Sequence, residues 1–237
     1  MGFTSTEVLR GFRWTALAAL AAAALSGCAG RPPRLAPIPD TLTSLEGDGS
    51  LSLTGPGGTA RSRFSFILLL PGRARIDVFD PLGRLVYFLL ITDDQALMAV
   101  PSKRAFGRGS REEVIARFLG FGLTPGEMAS LLTGRWPDGG FGPEALGGDA
   151  WTLQRDDRNR VASGKRGHLR FDVREFFPDS TAARLLAFEH VDSRGRIKVR
   201  YMAFNRPRPG AMETATLLKG YNERTWREME ALLGDED

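Results

Sequence analysis

Cysteine is all but absent. Cys28 is the only one in 237 residues, so no disulfide can form within the chain and no cysteine-built metal site is possible. Histidine is nearly as scarce: His168 and His190 each stand among alternating, strand-like residues. No spacing of histidines and carboxylates matches a metal site, and no nucleophile elbow, phosphate loop or dinucleotide fingerprint occurs. Asp77, Asp80, Asp93 and Asp94 read as strand and turn acids. The residues therefore supply no catalytic set, no metal ligands and no cofactor motif, and an enzyme is not expected. A clustered basic stripe is also missing. The formal charge is +4, but the arginines are scattered, which speaks against a nucleic-acid footprint. Mild basicity suits contact with an anionic membrane surface, beside the plainer reading of a solvated exterior. Finally, no apolar run is long enough to span a bilayer. Trp14 to Leu25 has 12 residues, and a spanning helix needs about 20.

That short run is nevertheless placed to act. Arg10 and Arg13 precede it, as in a secretory signal. Leu25-Ser26-Gly27-Cys28 follows it, in the order aliphatic, small, small, cysteine. This resembles the lipobox of bacterial lipoproteins, which implies diacylglycerol on the Cys28 thiol, cleavage before it and acylation of the new amine. An ordinary signal peptide with a chance cysteine is the alternative. Ala29, not Asp, comes next, which leans towards the outer membrane under the enterobacterial sorting rule. Residues 31–39 then hold four prolines in nine positions. Such a segment forms neither helix nor interior strand and reads as an extended tether. The expected organisation is a lipoprotein signal peptide over 1–27, a Pro-rich tether over 28–41 and one folded domain over 42–237.

The domain is mainly β. Weak alternation over Leu45–Leu53, the turn after Gly55 and the return over Thr59–Leu70 predict a hairpin. Ala74, Ile76 and Val78 share one face of the next strand. Leu85, Tyr87, Leu89 and Ile91 are expected to share a face of the one after, and Ala96–Val100 pairs back. Between two of these strands lies Asp80-Pro81-Leu82-Gly83-Arg84. Pro and Gly suit a tight turn there, but the second central residue is a bare leucine. The middle strands are apolar on both faces, so one face needs a cover other than water. Two capped helices follow and are the expected cover. One opens at Ser110 with Glu113 three residues on and carries Val114, Ile115, Phe118 and Leu119. The other starts at Thr124-Pro125 and carries Met128, Leu131 and Leu132. Residues 137–148 read as Gly-rich loop. Strands are then expected at Trp151–Gln154, Gly167–Phe176, Leu185–Val191, Arg196–Phe204 and Met212–Leu218, with a terminal helix after Thr225. The whole reads as about ten to eleven antiparallel strands with a helical lid. From the residues alone, the inner face is either a filled core or a cavity for acyl chains.

In the order of these features the chain resembles the LolA/LolB lipoprotein-carrier superfamily, and its LolB-like outer-membrane lipoproteins in particular. The resemblance runs through the lipobox, the aromatic strand with Phe64 and Phe66, the Asp80-Pro81-Leu82-Gly83 turn, the strands Leu85–Val100 and the helix pair ending at Leu131-Leu132-Thr133-Gly134-Arg135-Trp136-Pro137. It covers residues 45–137 best. It implies an open, incomplete antiparallel β-barrel under an α-helical lid. It also implies a cavity for lipoprotein acyl chains, lined on the strands by Phe64, Phe66, Leu68, Ile76, Val78, Leu85, Tyr87 and Leu89. Val114, Phe118, Leu119, Met128, Leu131 and Leu132 would line it from the lid. It further implies that Leu82 protrudes and inserts into the membrane. The implied role is lipoprotein localisation: a monomer lipid-anchored at the periplasmic face of the outer membrane receives acylated lipoproteins from a LolA-type carrier and inserts them. The alternative is a structural or envelope-assembly lipoprotein of the same fold, with a filled core and no transfer activity.

Overall fold

The computed structural model describes residues 33–55, 58–93, 95–119, 121–137, 150–206, 210 and 212–234. Residues 33–237 form their own compact unit. Cys28 and the Gly-rich segment after Pro137 lie outside the described residues, as do the side chains of Phe118 and Leu119.

Alternating sequences give strands, and long alternating stretches here give long ones. β1 (Ser44–Gly55) and β2 (Gly58–Leu69) form a hairpin in unbroken register from Ser44↔Leu69 to Gly55↔Gly58. β3 (Arg73–Phe79), β4 (Leu85–Ile91), β5 (Ala96–Val100) and β6 (Ala105–Gly109) continue the meander. After the helices come β7 (Thr152–Arg155), β8 (Val161–Arg166), β9 (Leu169–Phe176), β10 (Ala183–His190) and β11 (Ser193–Phe204). The last of these returns to pair with β1. A two-residue β12 (Asn222–Glu223) adds in parallel to β6. All twelve lie in one sheet, in the order β12-β6-β5-β4-β3-β2-β1-β11-β10-β9-β8-β7. Among the described residues the ends of that order do not pair, so the barrel is open. The expected architecture is present; β6, β8 and the two-residue β12 are strands that alternation did not predict. Met212–Leu218 is not a strand. It contains a short helix, α3 (Thr214–Leu217).

The reason lies in the second layer. On the inner face, Leu45, Phe66, Leu68, Ala74, Leu89, Ile91, Met98 and Val100 form the main core with α1 (Arg111–Leu119) and α2 (Pro125–Thr133). On the outer face, Phe88, Leu90, Leu97, Ala99 and Phe106 form a smaller core. Met212, Leu217, Leu218 and Tyr221 cover it. The helix pair therefore lids the inner face, and the segment around α3 shields the outer one. Packing onto that apolar patch overrides the local alternation of Met212–Leu218.

Inner-face glycines shape the wall. Gly47, Gly49, Gly195 and Gly164 are the register partners of Phe66, Phe64, Phe188 and Phe171. In each case the ring of the partner lies where a Cβ would stand, between 2.3 and 2.9 Å from the ideal Cβ position. Aromatic rings laid over glycines thin the inner layer of the sheet.

Candidate functional site

Thinning the wall leaves room. The inner face, α2 and the α1–α2 connection enclose a cavity of ≈ 410 Å³. This falls within the roughly 300–1,000 Å³ typical of ligand pockets. β1 contributes Leu51 and Leu53, β2 Phe64, Phe66 and Leu68, and β3 Ile76 and Val78. β4 contributes Val86 and Tyr87, while Leu186, Phe188 and Ile197 close the far side from β10 and β11. Met128, Leu131 and Leu132 of α2 form the roof, with Phe121 and Leu123 from the connection before it. The polar lining residues are few: Arg61, Ser62 and Asp80, with the Tyr87 phenol. Burial pushes the Tyr87 phenol above its ordinary range, so it stays neutral at physiological pH.

Nine residues expected around such a cavity border it: Phe64, Phe66, Leu68, Ile76, Val78, Tyr87, Met128, Leu131 and Leu132. Leu89 and Val114 lie deeper, fully buried in the main core. Leu85 sits elsewhere. Val78 pairs with Tyr87 but Phe79 pairs with Leu85, so Val86 is an extra residue in the ladder. The bulge shifts the phase of the strand. Leu85 consequently packs with the outer core, and Val86 faces the cavity in its place. Alternation alone missed Val86, as well as Phe121, Leu123 and the contributions of β10 and β11.

Each lid helix is fastened to a different arm of the sheet. Val114 and Ile115 of α1 are buried in the core. Arg117 of α1 pairs with Glu113 and with Glu230 of α4 (Trp226–Gly234), and its guanidinium lies 5.3 Å from the Trp226 ring centre. α2 is held from the other side. Glu127 is 0% exposed. Its carboxylate accepts from the Thr124 backbone N–H and hydroxyl at 2.8 and 3.1 Å, from the Trp151 indole N–H at 2.8 Å and from the Arg166 guanidinium. Arg166 also donates to the Gly122 carbonyl and lies over the Trp151 ring. The Thr181 hydroxyl donates to the carbonyl of Thr133 at 2.7 Å. The connection, with Phe121 and Leu123, joins these two anchored helices.

At the rim stands the β3–β4 turn. The Gly83 N–H donates to the Asp80 carbonyl at 3.0 Å and the Asp80 N–H donates to the Arg84 carbonyl at 3.0 Å. The Asp80 carboxylate accepts from the Arg84 N–H at 2.9 Å and from its guanidinium at 2.6 Å. Gly83 takes φ +84°, a conformation that few other residues adopt. These ties hold Leu82 outward, at 81% exposure. Phe79, Asp80 and Pro81 of the same turn border the cavity. The Arg84 backbone N–H, with its guanidinium adding to it, holds the Asp80 carboxyl below the ordinary aspartate value. A depressed pKa means the clamp is present above the unfolded-state value and is lost as pH falls through the lowered one. Asp80→Ala is expected to speed amide hydrogen exchange at Gly83 and Arg84 while leaving the midpoint of global unfolding nearly unchanged. Unaltered exchange at both amides would show that the carboxylate does not hold the turn.

The N-terminal approach to the domain also has a place. Leu35, Ile38 and Leu42 pack against the main core. Arg135 donates to the carbonyls of Ile38, at 2.9 Å, and Pro39. Arg34 lies 3.5 Å from Asp179. From Pro33 onward, the proline-rich segment lies along the domain.

No family model matches the chain, and no curated protein matches it. Solved structures do. A DUF1329 family protein from Desulfovibrio piger ATCC 29098 aligns with a TM-score of 0.53 and 14% identity over 75% of this chain and 92% of the other. A domain described as an outer membrane lipoprotein-sorting protein, from Vibrio parahaemolyticus, aligns with a TM-score of 0.54 and 10% identity over 76% and 93%. A LolA superfamily protein from Nitrosomonas europaea aligns with a TM-score of 0.48 and 10% identity over 76% and 94%. The first two share this chain's fold over those spans.

Proposed function

We propose that this protein is a lipid-anchored envelope lipoprotein that takes an acyl chain of another lipoprotein into its cavity and helps insert it into the outer membrane. The observation that carries this reading is the ≈ 410 Å³ apolar cavity beneath the lid. A methylene is close in size to a liquid water's share of about 30 Å³, so the space suits roughly a dozen methylenes, most of one acyl chain. Each methylene moved out of water contributes about 0.8 kcal/mol, which makes a single chain a worthwhile ligand without any polar recognition. The cargo is an acylated lipoprotein and the donor a carrier of the LolA type; no chemical step is involved. The fold shared with the lipoprotein-sorting domain from Vibrio parahaemolyticus supports the same role. The anchor is Cys28, in its lipobox. A cavity with room for a chain favours transfer over the alternative of a structural lipoprotein with a filled core.

The test is transfer in vitro. An acylated lipoprotein loaded on a LolA-type carrier is expected to pass to this protein. A pair of cavity-filling changes, Ile76→Phe with Leu131→Phe, is expected to weaken binding of a fluorescent fatty acid at least roughly ten-fold by taking the space that buried methylenes would use. A folded wild-type sample that accepts no lipoprotein, and binds no fatty acid, would overturn the reading.

A further inference from the structure

The arginines that look scattered along the chain are gathered by the strand register onto one face. On β1–β2, the pairs Leu51↔Ser62 and Leu53↔Ala60 turn inward and border the cavity. Their neighbours Ser52↔Arg61 and Ser50↔Arg63 therefore face outward. Across β1 on the other side, Ser52 pairs with Arg196, Ser50 with Lys198 and Thr54 with Arg194. A row of small hydroxyl residues on β1 is thus flanked by two cations on β2 and three on β11. Neighbouring strands lie about 4.8 Å apart and same-face residues about 7 Å apart, so the five charges share a patch only three strands wide. All five are exposed. None makes an ion pair with a described residue, whereas their neighbours Arg200, Arg170 and Arg184 are matched to Asp48, Asp172 and Glu175. Glu189, the register partner of Arg194, is the acid on the border of the patch.

Apolar tips stand beside the patch at one end of the sheet. Arg63 pairs with Phe79, the last residue of β3 before the turn that carries Leu82. On the other side, β11 begins at the β10–β11 turn, where Val191 is 69% exposed. Val191 has φ +39°, a conformation that is a genuine outlier for a β-branched residue. The Gly55 end of β1 lies next to this turn, its ideal Cβ position 3.8 Å from the Asp192 carbonyl oxygen.

We infer that the outer face of β2–β1–β11 is a docking surface for an anionic lipid bilayer, with its five cations on headgroup phosphates and the Leu82 and Val191 tips reaching the acyl region. Unmatched cations call for an anionic partner. The exposed leucine and valine select a membrane over a soluble acidic protein, because only a bilayer presents anionic headgroups and an apolar interior side by side. The surface lies on the face of these strands opposite the cavity-lining side chains and meets the acyl-chain cavity only at its rim, where Arg61 borders both.

The test uses the compact unit Pro33–Asp237, which holds every described strand, helix and core residue, with its fold verified by circular dichroism. Its partition onto phosphatidylcholine vesicles is compared with that onto phosphatidylcholine containing phosphatidylglycerol. A clear preference for the anionic vesicles that fades with added salt is expected. A cation near an anionic surface contributes about five-fold in partitioning, so Arg194→Ser with Arg196→Ser is expected to lose roughly 20-fold. Arg158→Ser with Arg206→Ser changes the net charge equally at the opposite end of the sheet and is expected to change little. Arg194→Lys with Arg196→Lys is expected to bind nearly as well as wild type, since either cation serves a phosphate. The proposal is overturned if wild type shows no anionic preference, or if the two serine pairs lose binding equally. Binding to a soluble acidic polypeptide without binding to anionic vesicles would assign the face to a protein partner instead. Ile76→Phe with Leu131→Phe is expected to leave vesicle binding intact, so failure here is distinguishable from failure of the acyl-chain reading.

Discussion

Arg166→Met is expected to destabilise the domain by about 3–5 kcal/mol, the usual cost of breaking a buried ion pair from one side. Arg166 is 7% exposed and Glu127 0%. Removing the guanidinium strands the carboxylate under α2 with only the Trp151 indole and the Thr124 cap for company. It also frees the Gly122 carbonyl and leaves the Trp151 ring without the group stacked on it. For a domain of this size that corresponds to a fall in midpoint of roughly 10 °C. The double variant Glu127→Gln with Arg166→Met is expected to recover a large part of the loss, because no charge is then left buried without a partner. Urea denaturation of the four members of the cycle measures the coupling. A coupling below about 1 kcal/mol, the level of an exposed pair, would show that the pair does not fasten the lid. The position of the pair also bears on function. On the acyl-chain function proposed above, α2 fixed to β8 and α1 fixed to α4 make entry past the rim at the β3–β4 turn less costly than wholesale lifting of the roof.

The meander β1–β5 and the three helix starts were legible because each rests on local signals. Alternation marks Phe64–Leu70 and Ala74–Val78, and a hydroxyl residue with a glutamate three positions later marks Ser110, Thr124 and Thr225. β6 and β8 were not legible because their glycines look like loop. In the fold, Gly107 lies beneath Met229 and Trp226, and Gly164 beneath Phe171, so these glycines mark close packing. The displaced face of Leu85 needed the bulge, which depends on register and leaves no mark in composition. Glu127 was readable as the partner of its cap but not as the partner of Arg166, which stands 39 residues away. The basic face was hidden for a related reason. Arg61 and Arg63, like Arg194, Arg196 and Lys198, alternate with other residues along their own strands, and only the pairing of β2 and β11 on either side of β1 makes them one surface.

Leu82→Glu is expected to leave the fold intact and to stop delivery of lipoprotein to the membrane. The fold survives because Leu82 is 81% exposed, and the turn is held by the backbone and the Asp80 carboxylate, not by the leucine. Delivery fails because the tip would then carry a charge into the bilayer. Burying one leucine contributes about 1.5–3 kcal/mol, enough for a repeated touch and too little for an anchor. β1 spans about 40 Å, and the β3–β4 turn with Leu82 lies towards its Gly55 end, away from Ser44. On the docking proposed for the outer face of β2–β1–β11, the cations and Leu82 meet the bilayer together. Two further variants separate the contributions. Leu82→Phe keeps an apolar tip and is expected to deliver at close to the wild-type rate. Arg135→Ala loosens the docked segment and is expected to slow delivery far less than Leu82→Glu does. If Leu82→Glu delivers lipoprotein at the wild-type rate, the exposed leucine has no part in insertion.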